Sequence, residues 1–83
     1  MKKTRKTQRR NVIGNRVKQA RLRLNPKVSQ DDLVGKLAAQ GILMDRSAIS
    51  RIESNSRYVM DYEAAAIARA LKVSVAWLFG EIR

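Results

Sequence analysis

With neither histidine nor cysteine in the chain, the common reactive centres are closed to it. There is no imidazole base, no thiolate nucleophile, no Ser/His or Cys/His arrangement and no thiolate or imidazole metal site. The side chains left to do chemistry are arginines, lysines, serines and amides, whose strength is binding. They concentrate in one stretch, Asp45 to Arg57, which reads DRSAISRIESNSR. Ile49 and Ile52 lie three apart, as on one edge of a short helix, and turning that edge inward leaves Arg46, Ser47, Ser50 and Arg51 on the outer face. Alone, such a segment is an ordinary solvated helix with solubilising charges. An arginine, however, can fork onto guanine O6 and N7, whereas serine reads bases with little selectivity. The polar run after it, Asn55, Ser56, Arg57 and Tyr58, is either a plain loop or a source of phosphate contacts.

The composition tips that balance toward a polyanion. Eighteen Lys and Arg against seven Asp and Glu give a net charge of +11, and the pI of about 11.2 lies above the value of about 9 that marks nucleic-acid-binding domains. Eighty-three residues make one domain with a modest core, too small to add a deep enclosed substrate cavity. An enzyme, a cofactor and a metal are all unexpected. The longest apolar runs, AAAIA and VAWLF, fall far short of the roughly 18 residues of a membrane span. The basic start has no apolar stretch behind it and is no secretory signal, so the sequence reads as soluble and cytoplasmic.

Positioning such a face needs a small helical scaffold, and the pattern supplies one. Residues 1–10, MKKTRKTQRR, hold six basic residues, no acid and nothing apolar but Met1. They read as a mobile arm that offers Arg5, Lys6, Arg9 and Arg10 to an anion. Removing those six charges from +11 leaves +5 on residues 11–83, so the folded part is basic in its own right. Asn11 is an N-cap for a helix over about 12–24, with Ile13, Val17, Ala20 and Leu24 on one edge and Asn25-Pro26 as its stop. Ser29 caps a second helix over about 30–39, with Asp31 and Asp32 at its positive end, Leu33 and Leu37 inward and Gly41 as a left-handed stop. Asp45 caps the third, about 46–54. The fourth covers about 61–71, with Asp61 and Glu63 in its first turn and Ala64, Ile67, Ala68 and Leu71 on one face. Ser74 caps a last apolar turn ended by Gly80. There is no useful strand pattern and no internal repeat.

Five short helices with this spacing make a compact all-α domain of the helix-turn-helix type. The string RVKQAR…VSQDDL…KL…DRSAISRIE…LKVSVAWLFG resembles the DNA-binding domain of the lambda-repressor-like (XRE/Cro) regulators over nearly all of residues 12–80. The resemblance implies that the third helix lies in the major groove while the second crosses the backbone. It places Arg46, Ser47, Ser50 and Arg51 at base edges and Gln30, beside the cap Ser29, on a phosphate. It also implies that Arg21 pairs with Glu53, the one acid in the third helix. Ser29, Asn55, Arg57 and Tyr58 complete the expected phosphate set. Trp77, Leu78 and Phe79 are hard to bury together in one small domain, which points to a dimer contact through Trp77 and Leu78.

Two departures from the family pattern bear on the pitch of the third helix. Eight residues, AAQGILMD, separate Leu37 from Arg46 where close members have a shorter turn, and Val34 stands where the family usually has a small residue. The resulting expectation is a repressor-like regulator that binds double-stranded DNA as a homodimer on a two-fold operator. The main alternative is an antitoxin that neutralises a protein partner and binds its own promoter. Sequence-blind RNA or nucleoid binding is disfavoured, because four aromatic residues give no base-stacking platform.

Overall fold

The computed structural model describes residues 9–82, so Arg5 and Lys6 of the expected arm lie outside the described residues. Five helices follow: α1 (Gly14–Arg23), α2 (Gln30–Ala38), α3 (Arg46–Glu53), α4 (Asp61–Ala70) and α5 (Val75–Leu78). No strand occurs among the described residues. The N-terminal amides of a helix lack partners within it, and here nearby side chains supply them. Ser29 and Asp32 form a reciprocal capping box on α2, Asp45 accepts the Ala48 N–H at 2.8 Å, and Ser74 accepts the Trp77 N–H at 2.9 Å. Glu63 turns back to accept the Met60 N–H at 2.9 Å. Asn11 accepts from Ile13 and Gly14, each at 3.0 Å. It closes a turn ahead of α1, so regular helix begins at Gly14, two residues later than the sequence suggests.

Four of the helices end in one way. Gly41, Asn55, Lys72 and Gly80 take positive φ of 81°, 66°, 62° and 81°. The next N–H then reaches five residues back, as from Ile42 to the Leu37 carbonyl at 3.0 Å and from Val73 to Ala68 at 3.0 Å, the Schellman closure. Gly41 therefore stops α2, and the extra residues before α3 form a loop instead of lengthening the helix. Ile42 is half-buried and Met44 buried, which pins the loop on both sides of the exposed Leu43.

Val17, Leu33, Leu37, Ile49, Ile52, Ile67, Leu71 and Leu78 form the centre of the core, each no more than 1% exposed. Helix α4 is buried around much of its girth through Ala64, Ala66, Ala68 and Ala70, whose short side chains let its neighbours approach. Val34 sits half-buried at the margin of this core. The start of α1 is stitched to the end of α3. Asn11 donates to the carbonyls of Ile52 (3.2 Å) and Arg57 (2.8 Å), and Asn55 donates back to the Asn11 side chain at 3.1 Å. The Arg10 N–H donates to the Asn55 carbonyl at 2.8 Å, so Arg10 of the expected arm is tied to the end of α3.

Candidate nucleic-acid interface

Helix α3 has a fully committed inner side, with Ala48, Ile49 and Ile52 buried. This leaves Arg46, Ser47, Ser50 and Arg51 together on an exposed outer side. Arg51 donates through Nη1 to the Ser47 hydroxyl one turn earlier, which lays its guanidinium along the face. Arg46 approaches Asp31 at 3.8 Å, with both side chains about two-thirds exposed or more. Such an exposed pair contributes little to stability and leaves the arginine free to exchange partners.

Beneath this face Arg21 and Glu53 form a bidentate pair. Arg21 Nε donates to Glu53 Oε2 at 2.6 Å and Nη2 to Oε1 at 2.9 Å, and both side chains are under a tenth exposed. Burying two charges is costly unless every remaining donor and acceptor is met. Arg21 Nη1 donates to the Val28 carbonyl at 2.8 Å, and Glu53 Oε1 also accepts Gln30 Nε2 at 3.1 Å. The pair bolts α1 to α3 and reaches α2 through Gln30.

Three of the expected phosphate contacts have side chains bonded to other groups of the protein. Gln30 donates one amide N–H to Glu53 at 3.1 Å and accepts from Arg46 Nε at 3.4 Å, which leaves its second amide N–H and its helix-terminal backbone N–H as donors. Asn55 is turned onto Asn11. Arg57 is half-buried and closes its own loop, donating to Glu63 at 3.2 Å and to the Tyr58 carbonyl at 3.0 Å. Ser29 and Tyr58 do stay on the surface. The Ser29 N–H and hydroxyl beside Asp32 hold that carboxyl below its ordinary value, stabilising the charged form that caps α2. Tyr58 accepts from Arg10 Nη1 at 3.3 Å, and the guanidinium stacks 5.2 Å from its ring centre. Arg9 is exposed.

Sequence reasoning passed over Lys18 and Ser54, which also border this face. The one signal available was position, since Lys18 stands three residues before Arg21 and thus on the same side of α1.

In α5, Leu78 is corrected from interface to core. It is 0% exposed and has no surface to give a partner. Trp77 is half-covered by α1, with the guanidinium of Arg16 at 4.5 Å and that of Arg23 at 5.3 Å from its ring centre. Arg16 also donates to the Trp77 carbonyl at 3.1 Å. The apolar surface left there belongs to Val75, Phe79 and Ile82, about half exposed each.

A surface helix with an arginine-serine face, braced from below by two further helices, defines a helix-turn-helix DNA-binding domain. Residues 17–78 match the helix-turn-helix family, and the chain belongs to it, as a DNA-binding transcriptional regulator of the XRE, lambda-repressor-like type. No curated protein and no solved structure matched the chain significantly. Among the described residues no helix is long and apolar enough to cross a membrane.

Proposed function

We propose that the chain is a repressor-like regulator of a bacterium or phage. In this reading it acts in the cytoplasm, as a homodimer on a two-fold operator, with α3 in the major groove. The observation that supports this best is the division of α3 into a buried inner side and an exposed side carrying Arg46, Ser47, Ser50 and Arg51. A face fixed in the core presents its arginines at a defined pitch, which base readout requires and nonspecific attraction does not. Ser29, Tyr58, Arg9 and Arg10 surround it as phosphate contacts. Val75, Phe79 and Ile82 supply the apolar surface for the second subunit, which sets two copies of α3 about 34 Å apart.

The test begins with selection of bound genomic fragments and continues with single-base variants of the preferred duplex. Arg51→Ala is expected to cost about 1–3 kcal/mol on the preferred site and to relax preference at one or two base pairs. An equal loss on every variant would reduce the face to a charged surface. Equal affinity for a half-site and the full site would reject the two-fold arrangement.

A further inference from the structure

Where α1, α2 and α3 meet, the outer surface dips into an open hollow of about 230 Å³ lined by Lys18, Gln30, Ser50, Glu53 and Ser54. We propose that this hollow seats one phosphodiester of the DNA backbone, with Lys18 as its cation and the Ser50 hydroxyl as a donor. The inference rests on the reading that α3 enters the major groove, and it moves Ser50 from base edge to backbone.

Charge selects the ligand. Glu53 would repel an anion if its carboxylate were free, but both of its oxygens accept from Arg21, and one also from Gln30. The buried pair sums to zero, so the charge left to the hollow is the ammonium of Lys18, which forms no ion pair among the described residues. One positive charge matches the single negative charge of a phosphodiester. Lys18 and Ser50 are exposed, and the Ser50 hydroxyl, unlike those of Ser47 and Ser54, makes no hydrogen bond among the described residues.

Position argues the same way. At 100° per residue along α3, Ser50 lies between Arg46 and Ser54 on the outer side. Arg46 is drawn toward α2 by Gln30, and the hollow lies along that same edge of α3. A strand running past the α2 edge of a groove-bound α3 would cross it. The ligand is thus a backbone phosphate that comes with the groove.

The experiment uses the full chain and duplexes of its preferred sequence, each with one phosphate replaced by a neutral methylphosphonate. Wild type is expected to lose about tenfold in affinity when the seated phosphate is neutralised. Lys18→Ala should lose a similar factor on the unmodified duplex, evenly across single-base variants, with the log–log salt slope falling by about 0.9 per subunit bound. It should also become indifferent to that one methylphosphonate while keeping its sensitivity to the others. Lys36→Ala, which removes the same charge from a position that does not line the hollow, should leave the methylphosphonate pattern as in wild type. Thermal melts of both variants should match wild type, since both lysines are exposed.

The proposal is overturned if Lys18→Ala keeps the full pattern, or if Ser50→Ala relaxes preference at one base pair instead of weakening all sites alike. It is also overturned if inorganic phosphate, exchanged for chloride at equal ionic strength, raises the melting temperature through Lys18 without DNA, because a free anion would then be the ligand. Failure of the underlying reading looks different: wild type would show no base preference at all, and Arg51→Ala would change nothing specific.

Discussion

Gly14 and Gly35 should respond to the same substitution with opposite signs. A Cβ on Gly14 would lie 2.9 Å from the Glu53 carbonyl oxygen, 2.7 Å from Asn55 Nδ2 and closer still to the Ile52 carbonyl oxygen. Two of these three are backbone atoms at the end of α3, which cannot rotate aside, so α1 must lift off α3. Forced overpacking costs about 1–3 kcal/mol, and a backbone collision belongs at the top of that range. Alanine returns about 0.5–1 kcal/mol of helix preference over glycine, less at a first helical position. The net expectation for Gly14→Ala is a loss of about 2 kcal/mol, or a melting temperature lower by roughly 8–16 °C in a domain of this size. At Gly35 nothing lies within 4 Å of the added atom and the position is mid-helix, so Gly35→Ala should gain up to about 1 kcal/mol. Urea and thermal unfolding followed by circular dichroism measure both. A Gly14→Ala protein as stable as wild type would refute the close approach of α1 to α3.

Three further outcomes follow from the same geometry. Glu53→Ala strands a buried Arg21 and is expected to cost about 3–5 kcal/mol, much of which the double replacement Arg21→Met with Glu53→Met should recover; a harmless single substitution would mean the pair is not buried. Lys72 holds a left-handed conformation with φ of 62°, which costs a side-chain-bearing residue about 1–2 kcal/mol, against about 0.5–1 kcal/mol for the extra freedom of an unfolded glycine. Lys72→Gly should therefore raise the melting temperature slightly, and a fall would mean the lysine side chain packs. For Asp32 the folded carboxyl is held below 3.8, chiefly by the Ser29 N–H and then by its hydroxyl, so its stabilisation is present above that pH and is lost as pH drops through the depressed value. The gap in melting temperature between wild type and Asp32→Asn should close in acid, and a gap constant with pH would exclude a charge effect.

What could be read from the sequence was whatever is decided locally. Ser29, Asp45 and Ser74 each cap a helix whose amides lie within three residues, and the isoleucine edge of α3 needs only helical periodicity. Gly41 and Gly80 announce left-handed turns by composition, whereas Lys72 makes the same turn with no local sign, because the packing of its neighbours overrides its own preference. The bonding partners of Gln30 and Asn55 were hardest to read, since a polar side chain at the end of a helix shows nothing of its partner. Asn55 meets Asn11 across 44 positions and Gln30 meets Glu53 across 23, separations that only the folded chain closes. Leu78 failed for a related reason: a single apolar turn looks the same whether α4 of its own chain or a second chain covers it.

The chain contains one tryptophan, and two guanidinium groups of α1 flank it. This makes the domain spectroscopically labelled by nature, at one joint. Its indole emission reports whether α5 is seated on α1, a joint formed through Arg16 and Arg23. An emission change when a duplex is added would therefore signal rearrangement at the α5 end, where Val75 and Phe79 lie, while contact confined to α3 would leave the emission unchanged.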